Sequence, residues 1–116
     1  MSLDHSDPFD PAQAAALFAA LSDATRLALV DRLCAGGPQS IAQLTAGTTI
    51  TRQAVTKHLR VLAEAGLAHA SPRGRERIWT LDLERLDEAR RHLDQIERQW
   101  DRALWRLKTF VETDDE

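Results

Sequence analysis

A chain of 116 residues with 43% hydrophobic and 28% charged side chains is about one soluble domain, large enough to bury a core without staples. Its one cysteine, Cys34, excludes an intrachain disulfide and a cysteine-cluster metal site. No run approaches the ~20 apolar residues of a membrane span, and the acidic start MSLDHSDPFD is not a secretory leader, so a cytoplasmic protein without membrane contact is expected.

The net charge of −3 conceals a segregation. Residues 1–50 carry Arg26 and Arg32 against Asp4, Asp7, Asp10, Asp23 and Asp31, a net of −3. Residues 51–81 carry Arg52, Lys57, Arg60, Arg73, Arg75 and Arg77 against Glu64 and Glu76, a net of +4. Residues 82–116 return to −4. The basic middle is the candidate electrostatic footprint.

In chain order, Asp10-Pro11 opens a first helix, with aspartate as N-cap and proline where its missing N–H costs nothing. Leu17, Phe18 and Leu21 give that helix an apolar stripe. Asp23 caps a second helix, whose Leu27, Val30 and Leu33 recur every three residues, and Gly36-Gly37-Pro38 ends it. Cys34 is expected on the inner face of this helix, as a buried small hydrophobe. Ser40-Ile-Ala-Gln43 is a capping box that opens a short third helix through Leu44. After the turn Thr48-Thr-Ile, Thr51 caps a fourth helix, which runs on Ala54, Val55, Leu59, Leu62 and Ala63 to Gly66.

Beyond Gly66 the period shortens. Leu67 to Ser71 and Arg77 to Leu81 are strand-like, joined by the hairpin loop Pro72-Arg-Gly-Arg-Glu76. His69 and Trp79 are expected to be structural on these strands. A long helix follows from Leu83 to about Val111. In it Leu86, Leu93, Trp100 and Leu107 interleave with Ala89, Ile96, Ala103 and Phe110 as the a and d positions of a heptad.

The third and fourth helices with their short turn match a helix-turn-helix, whose second helix enters the DNA major groove. Thr51, Arg52, Gln53 and Thr56 lie on its first turns. Arginine and glutamine suit guanine and adenine edges there, and threonine suits a phosphate or a thymine methyl. Lys57 and Arg60 suit phosphates, and His58 can pack, cap or touch one. Arg73, Arg75 and Arg77 around Gly74 make a basic wing for the neighbouring groove or backbone. The expected fold is therefore mainly α with a small β-hairpin, a winged helix-turn-helix. Its order is four helices, two strands and a long helix.

"ALSDATRLALVDRL", "QSIAQLTAGTTITRQAVTKHLRVLAEAGLAHA" and "GRERIWTL" resemble successive signatures of the ArsR/SmtB family of winged-helix repressors, over roughly residues 9–111. The resemblance implies a homodimer on a palindromic, inverted-repeat operator, often its own promoter. It also implies base-reading roles for Arg52, Gln53, Thr56 and Lys57, with Arg75 at the wing tip. Family members that sense metals carry Cys-x-Cys in the third helix, where Ser40 and Ala42 stand here. Others use histidine pairs in the last helix, which offers His92 with Asp94 and Glu97 nearby. Four zinc ligands do not assemble from this set. The Trp100 and Trp105 pair resembles a non-metal-sensing branch. No cofactor is expected, and a small-molecule inducer is left open without being identified.

The resulting division is a tail at 1–10, a winged helix-turn-helix domain at 11–81, a dimerisation helix at 82–111 and an acidic tail at 112–116. A partner surface is expected from Leu17, Phe18, Leu86, Leu93, Ile96, Trp100, Leu104 and Leu107. An enzyme is not expected: no nucleophile–base pairing, glycine-rich phosphate loop or carboxylate pair stands out, and the Ser and Thr residues cluster at caps and turns. The rivals are a winged-helix adaptor for protein contacts, which has no use for six clustered cations, and a metal-responsive repressor.

Overall fold

The structure is a computed structural model that describes residues 11–114, so the tail at 1–10 and the Asp10 cap lie outside the described residues. The elements are α1 (Pro11–Ala20), α2 (Ala24–Gly36), β1 (Gln39–Ser40), α3 (Ile41–Ala46), α4 (Arg52–Glu64), β2 (Ala68–Arg73), β3 (Glu76–Leu81) and α5 (Leu83–Asp114).

The helix starts follow the local chemistry. Asp23 accepts from the Arg26 N–H at 3.0 Å, and Thr51 Oγ1 from the Ala54 N–H at 3.1 Å. Ser40 and Gln43 exchange reciprocal bonds: the Gln43 N–H reaches Ser40 Oγ at 3.2 Å, and the Ser40 N–H reaches Gln43 Oε1 at 2.9 Å. Each satisfies donors that a helix N-terminus leaves unpaired. At the end of α4, Gly66 takes a φ of 81° and the Leu67 N–H returns to the Leu62 carbonyl at 2.9 Å. That is the glycine-terminated closure expected there.

Leu17, Leu29, Leu44, Val55, Leu59, Leu62 and Leu67 are fully buried, and Val30, Leu33, Trp79, Leu81 and Ala89 complete one core. α2 turns differently from its three-residue spacing. Leu27 is 50% exposed, and the inward face is Leu29, Val30 and Leu33. At about 100° per residue, Leu27 and Leu33 lie about 120° apart and cannot share a face. The same rotation corrects Cys34: next to buried Leu33, it is exposed. Leu17, expected at a partner surface, is 0% exposed within the chain's own core. The outer face of α1 is instead Ala12, Ala15, Ala16 and Ala19.

The sheet has three strands in the order β1-β3-β2, all antiparallel. β1 has no sequence signal, because two residues show no period. Gln39 pairs with Trp79 and Ser40 with Ile78, so Ser40 serves both a ladder and a helix cap. The hairpin loop is tighter than the expected five residues. Pairing continues to Arg73 and Glu76, leaving Gly74-Arg75 as a two-residue turn with φ of 64° at Gly74. Pro72 is tolerated inside β2 because that strand lies at the sheet edge.

α5 begins with Asp82 as cap, which accepts from the Arg85 N–H at 3.1 Å. It runs 32 residues, about 48 Å at 1.5 Å per residue, through Asp114. Glu112 and Asp114 are thus helical rather than part of a separate acidic tail, and Thr113 Oγ1 bonds back to the Thr109 carbonyl at 2.9 Å. Ala89 is buried and Leu86 and Ile96 are half-buried, but every residue from 97 to 113 is exposed. The radius of gyration is 19.3 Å, where a globule of ~100 residues has about 13 Å. The helix therefore projects well beyond the body of the domain. No single helix among the described residues is long and apolar enough to cross a membrane.

Candidate DNA interface

α4 is held from behind by Val55, Leu59 and Leu62, which leaves the opposite face to the solvent. Arg52, Gln53, Lys57 and Arg60 are exposed there. With Thr51, Ala54 and Thr56 they line an open depression of about 650 Å³ along the first turns of the helix. Thr56 is half-buried, and its hydroxyl donates to the Arg52 carbonyl at 2.9 Å. Its proton is committed to its own helix, so toward a ligand it offers the oxygen as acceptor and the methyl group.

A second cleft of about 370 Å³ lies between the start of α3 and the wing, lined by Ser40, Ile41, Ala42, Arg52, Arg75, Glu76 and Arg77. Arg52 lines both hollows, which makes the α4 face and the wing one continuous surface. Arg73 borders the adjoining cleft with Ala42 and Gln43. The part played by Ala42 and Gln43 is not visible in the sequence, where Gln43 reads only as a cap. The clue available is their place on the helix that the wing folds against.

Among the described residues, none of Arg52, Lys57, Arg60, Arg73, Arg75 and Arg77 is in an ion pair. Three arginines at the start of α5 are neutralised, Arg85 by Glu88 at 3.3 Å, Arg90 by Asp87 at 2.6 Å and Arg91 by Asp87 at 3.6 Å, whereas Arg98, Arg102, Arg106 and Lys108 farther along that helix are, among the described residues, in no ion pair either. A row of uncompensated cations on a surface with a −3 chain beneath it is poised for a polyanion.

His58 departs from the expected set. It turns away from the α4 groove toward α2, half-buried, with Nδ1 3.4 Å from Arg26 Nη1 and 3.8 Å from Asp23 Oδ2. Arg26 also donates through Nε to the Ala20 carbonyl at 2.6 Å, so the cluster joins α1, α2 and α4. The Arg26 N–H, followed by the Arg26 and His58 charges, holds the Asp23 carboxyl below the usual carboxylate range. Trp79 is buried in the sheet, as expected, while His69 is exposed on β2.

No three His, Cys, Asp or Glu side chains gather into a metal-holding group among the described residues. Asp94 faces Arg90 at 3.6 Å, and the His92 ring lies 6.1 Å from that of Phe18. The Ser40 and Ala42 positions supply no thiolate. Within the described residues of one chain, these donors do not assemble the four ligands of a zinc site.

Residues 21–69 match a family model described as a helix-turn-helix domain. The HTH-type transcriptional regulator Rv2034 of Mycobacterium tuberculosis is 37% identical over 95 residues, covering 82% of this chain and 85% of the relative. The solved structure of an ArsR-like transcriptional regulator from Rhodococcus sp. RHA1 is 36% identical with a TM-score of 0.73, over 85% of this chain and 92% of that one. A homodimeric winged helix-turn-helix DNA-binding domain from Mycobacterium bovis, a possible ArsR-family regulator, shares the fold at 22% identity and a TM-score of 0.60, over 80% of this chain and 82% of that one. With a helix-turn-helix, a basic wing and relatives of this similarity over most of its length, the chain belongs to the ArsR family of winged helix-turn-helix proteins and is a DNA-binding transcriptional regulator, not an enzyme.

Proposed function

We propose that the protein is a homodimeric repressor that acts in the bacterial cytoplasm on an inverted-repeat operator, its own promoter included. The observation that carries this reading is the pairing of two opposite surfaces on one chain. The α4 face and wing present six uncompensated cations, and α5 presents an uncovered apolar stripe. Arg52 and Gln53 read base edges, Thr51 and Thr56 assist them, and Lys57, Arg60, Arg73, Arg75 and Arg77 hold phosphates.

The second copy supplies the cover for α5. Leu93, Trp100, Leu104 and Leu107 are exposed, with Trp100 at 69%, and they continue the face on which Leu86 packs against the core of its own domain and Ile96 is half-buried. Phe18 is half-buried beside His92 and extends that surface. The exposed alanines of α1 recur at helical spacing and leave a smooth surface on which bulky α5 side chains of a second chain can seat. Two recognition helices related by such a two-fold axis would meet major grooves about one DNA turn apart, ~34 Å, and a promoter so occupied is closed to polymerase. The homodimeric state of the Mycobacterium bovis relative supports the same arrangement.

Footprinting on DNA upstream of the protein's own gene tests this. Two protected half-sites related by a dyad and about one turn apart are expected. A single unsymmetrical footprint, or none that competes against random DNA, would overturn the reading.

A further inference from the structure

α2 packs against α4, and one of its side chains reaches the end of α3. Arg32 Nη2 donates to the Gln43 carbonyl at 2.9 Å, and Nη1 donates to the Leu44 carbonyl. These carbonyls belong to the last turn of α3, where helical donors run out. The next N–H groups do not serve them, because those of Gly47 and Thr48 both turn to the Thr45 carbonyl. The guanidinium also complements the negative end of the helix dipole. Gln39 Nε2 in turn holds the main-chain carbonyl of Arg32 at 2.9 Å.

Gly47 follows α3 directly, and its φ of −92° is open to any residue. Conformational freedom therefore does not explain the glycine. A Cβ at this position would meet the Arg32 guanidinium, which would have to swing away from the Gln43 and Leu44 carbonyls to admit it. Arg32 lines none of the three hollows described above along α4 and the wing. It is a half-buried cation spent on the inside of the motif rather than on its DNA face.

We infer that Arg32, with Gly47 making room for it, is a positioning residue for DNA recognition. It latches the end of α3 to α2 and so fixes the turn that aims α4. The inference rests on the reading of α4 as the base-reading helix. An error in that aim costs base contacts, which need fixed geometry, more than phosphate attraction, which does not.

Two measurements separate the latch from its consequence. The first is thermal unfolding of wild type, Arg32→Ala, Gly47→Ala and the double variant. The latch predicts strong coupling: Gly47→Ala destabilises when Arg32 is present and does little once Arg32 is alanine. Additive effects would overturn it. The second is affinity for a duplex that the wild type selects from a random pool, set against affinity for the unselected pool. Gly47→Ala and Arg32→Ala are expected to lose roughly tenfold on the selected duplex while staying within about twofold on the pool, whose binding is set by phosphate contacts. Arg32→Lys, a point charge without the fork, should recover only part. Parallel losses on both DNAs would reduce Arg32 to a stability role and overturn the positioning claim. If Arg32→Ala does not fold, Gly47→Ala and Arg32→Lys decide by the same criterion. Failure of the wild type to select any sequence would sink the base-reading assignment itself, while the unfolding cycle still decides the latch.

Discussion

Asp23 shows how much a single side chain does in this fold. It caps α2 and stands against His58 of α4, and the Arg26 N–H together with nearby positive charge depresses its pKa. A depressed carboxyl stabilises the fold above the unfolded value of about 3.9, and that contribution is lost as pH falls through the folded value. An asparagine in its place would cap nearly as well without the charge. Asp23→Asn should therefore melt below wild type at pH 7, and the gap should close as the pH drops below about 4. A gap that stays constant across that range would show the charge to be idle. Caps such as Asp23, Ser40 and Thr51 are legible in the sequence because a side chain bonding its own backbone three residues on is a local event. The roles of Arg32 and His58 are not legible there, since their partners lie 12 and 32 positions away.

Among the elements, α4 is the most readable, because strong amphipathic periodicity separates its buried Val55, Leu59 and Leu62 from the exposed Arg52, Gln53, Lys57 and Arg60. The phase of α2 is not readable in the same way. Its sequence LALVDRLCA offers apolar residues on nearly every side, and only packing against α4 and β3 selects Leu29 over Leu27. The wing is recognisable from its turn residues but longer than they suggest, since exposed polar strand ends at Pro72 and Glu76 carry no alternation. Within α4 the proposed roles divide by chemistry. Gln53→Ala should weaken binding by about 1–3 kcal/mol per half-site and relax the sequence preference, as removal of a bidentate bond to a base does. Lys57→Ala should weaken selected and random DNA about equally. Competition binding with both DNAs checks this, and interchanged behaviour would reverse the two roles.

At the scale of the whole molecule, the governing feature is a helix that outruns its domain. From residue 97 onward α5 has no cover within the described chain, although Trp100, Leu104, Leu107, Phe110 and Val111 are large and apolar. The heptad stripe announces this in the sequence. Nothing there shows that Leu17 is consumed by the core while alanines form the outer face of α1. In the proposed dimer, a charge at Trp100 would bury an unpaired carboxylate between copies, at a cost of several kcal/mol. Because Trp100 is exposed in the single chain, Trp100→Asp should still fold, sediment as a monomer and bind the full operator far more weakly than wild type. A variant that sediments as a dimer would remove α5 from the interface.

Whether the six cations of α4 and the wing hold DNA is decided by the salt dependence of DNA affinity. Wild type should be compared with a chain carrying glutamine at Arg52, Lys57, Arg60, Arg73, Arg75 and Arg77, on the duplex upstream of its gene. Wild type is expected to show a steep fall of log K with log salt. The substituted chain is expected to show a slope shallower by about 0.9 for each phosphate no longer neutralised, together with loss of specific binding. Equal affinity and equal slope in the two proteins would contradict that role for the six cations.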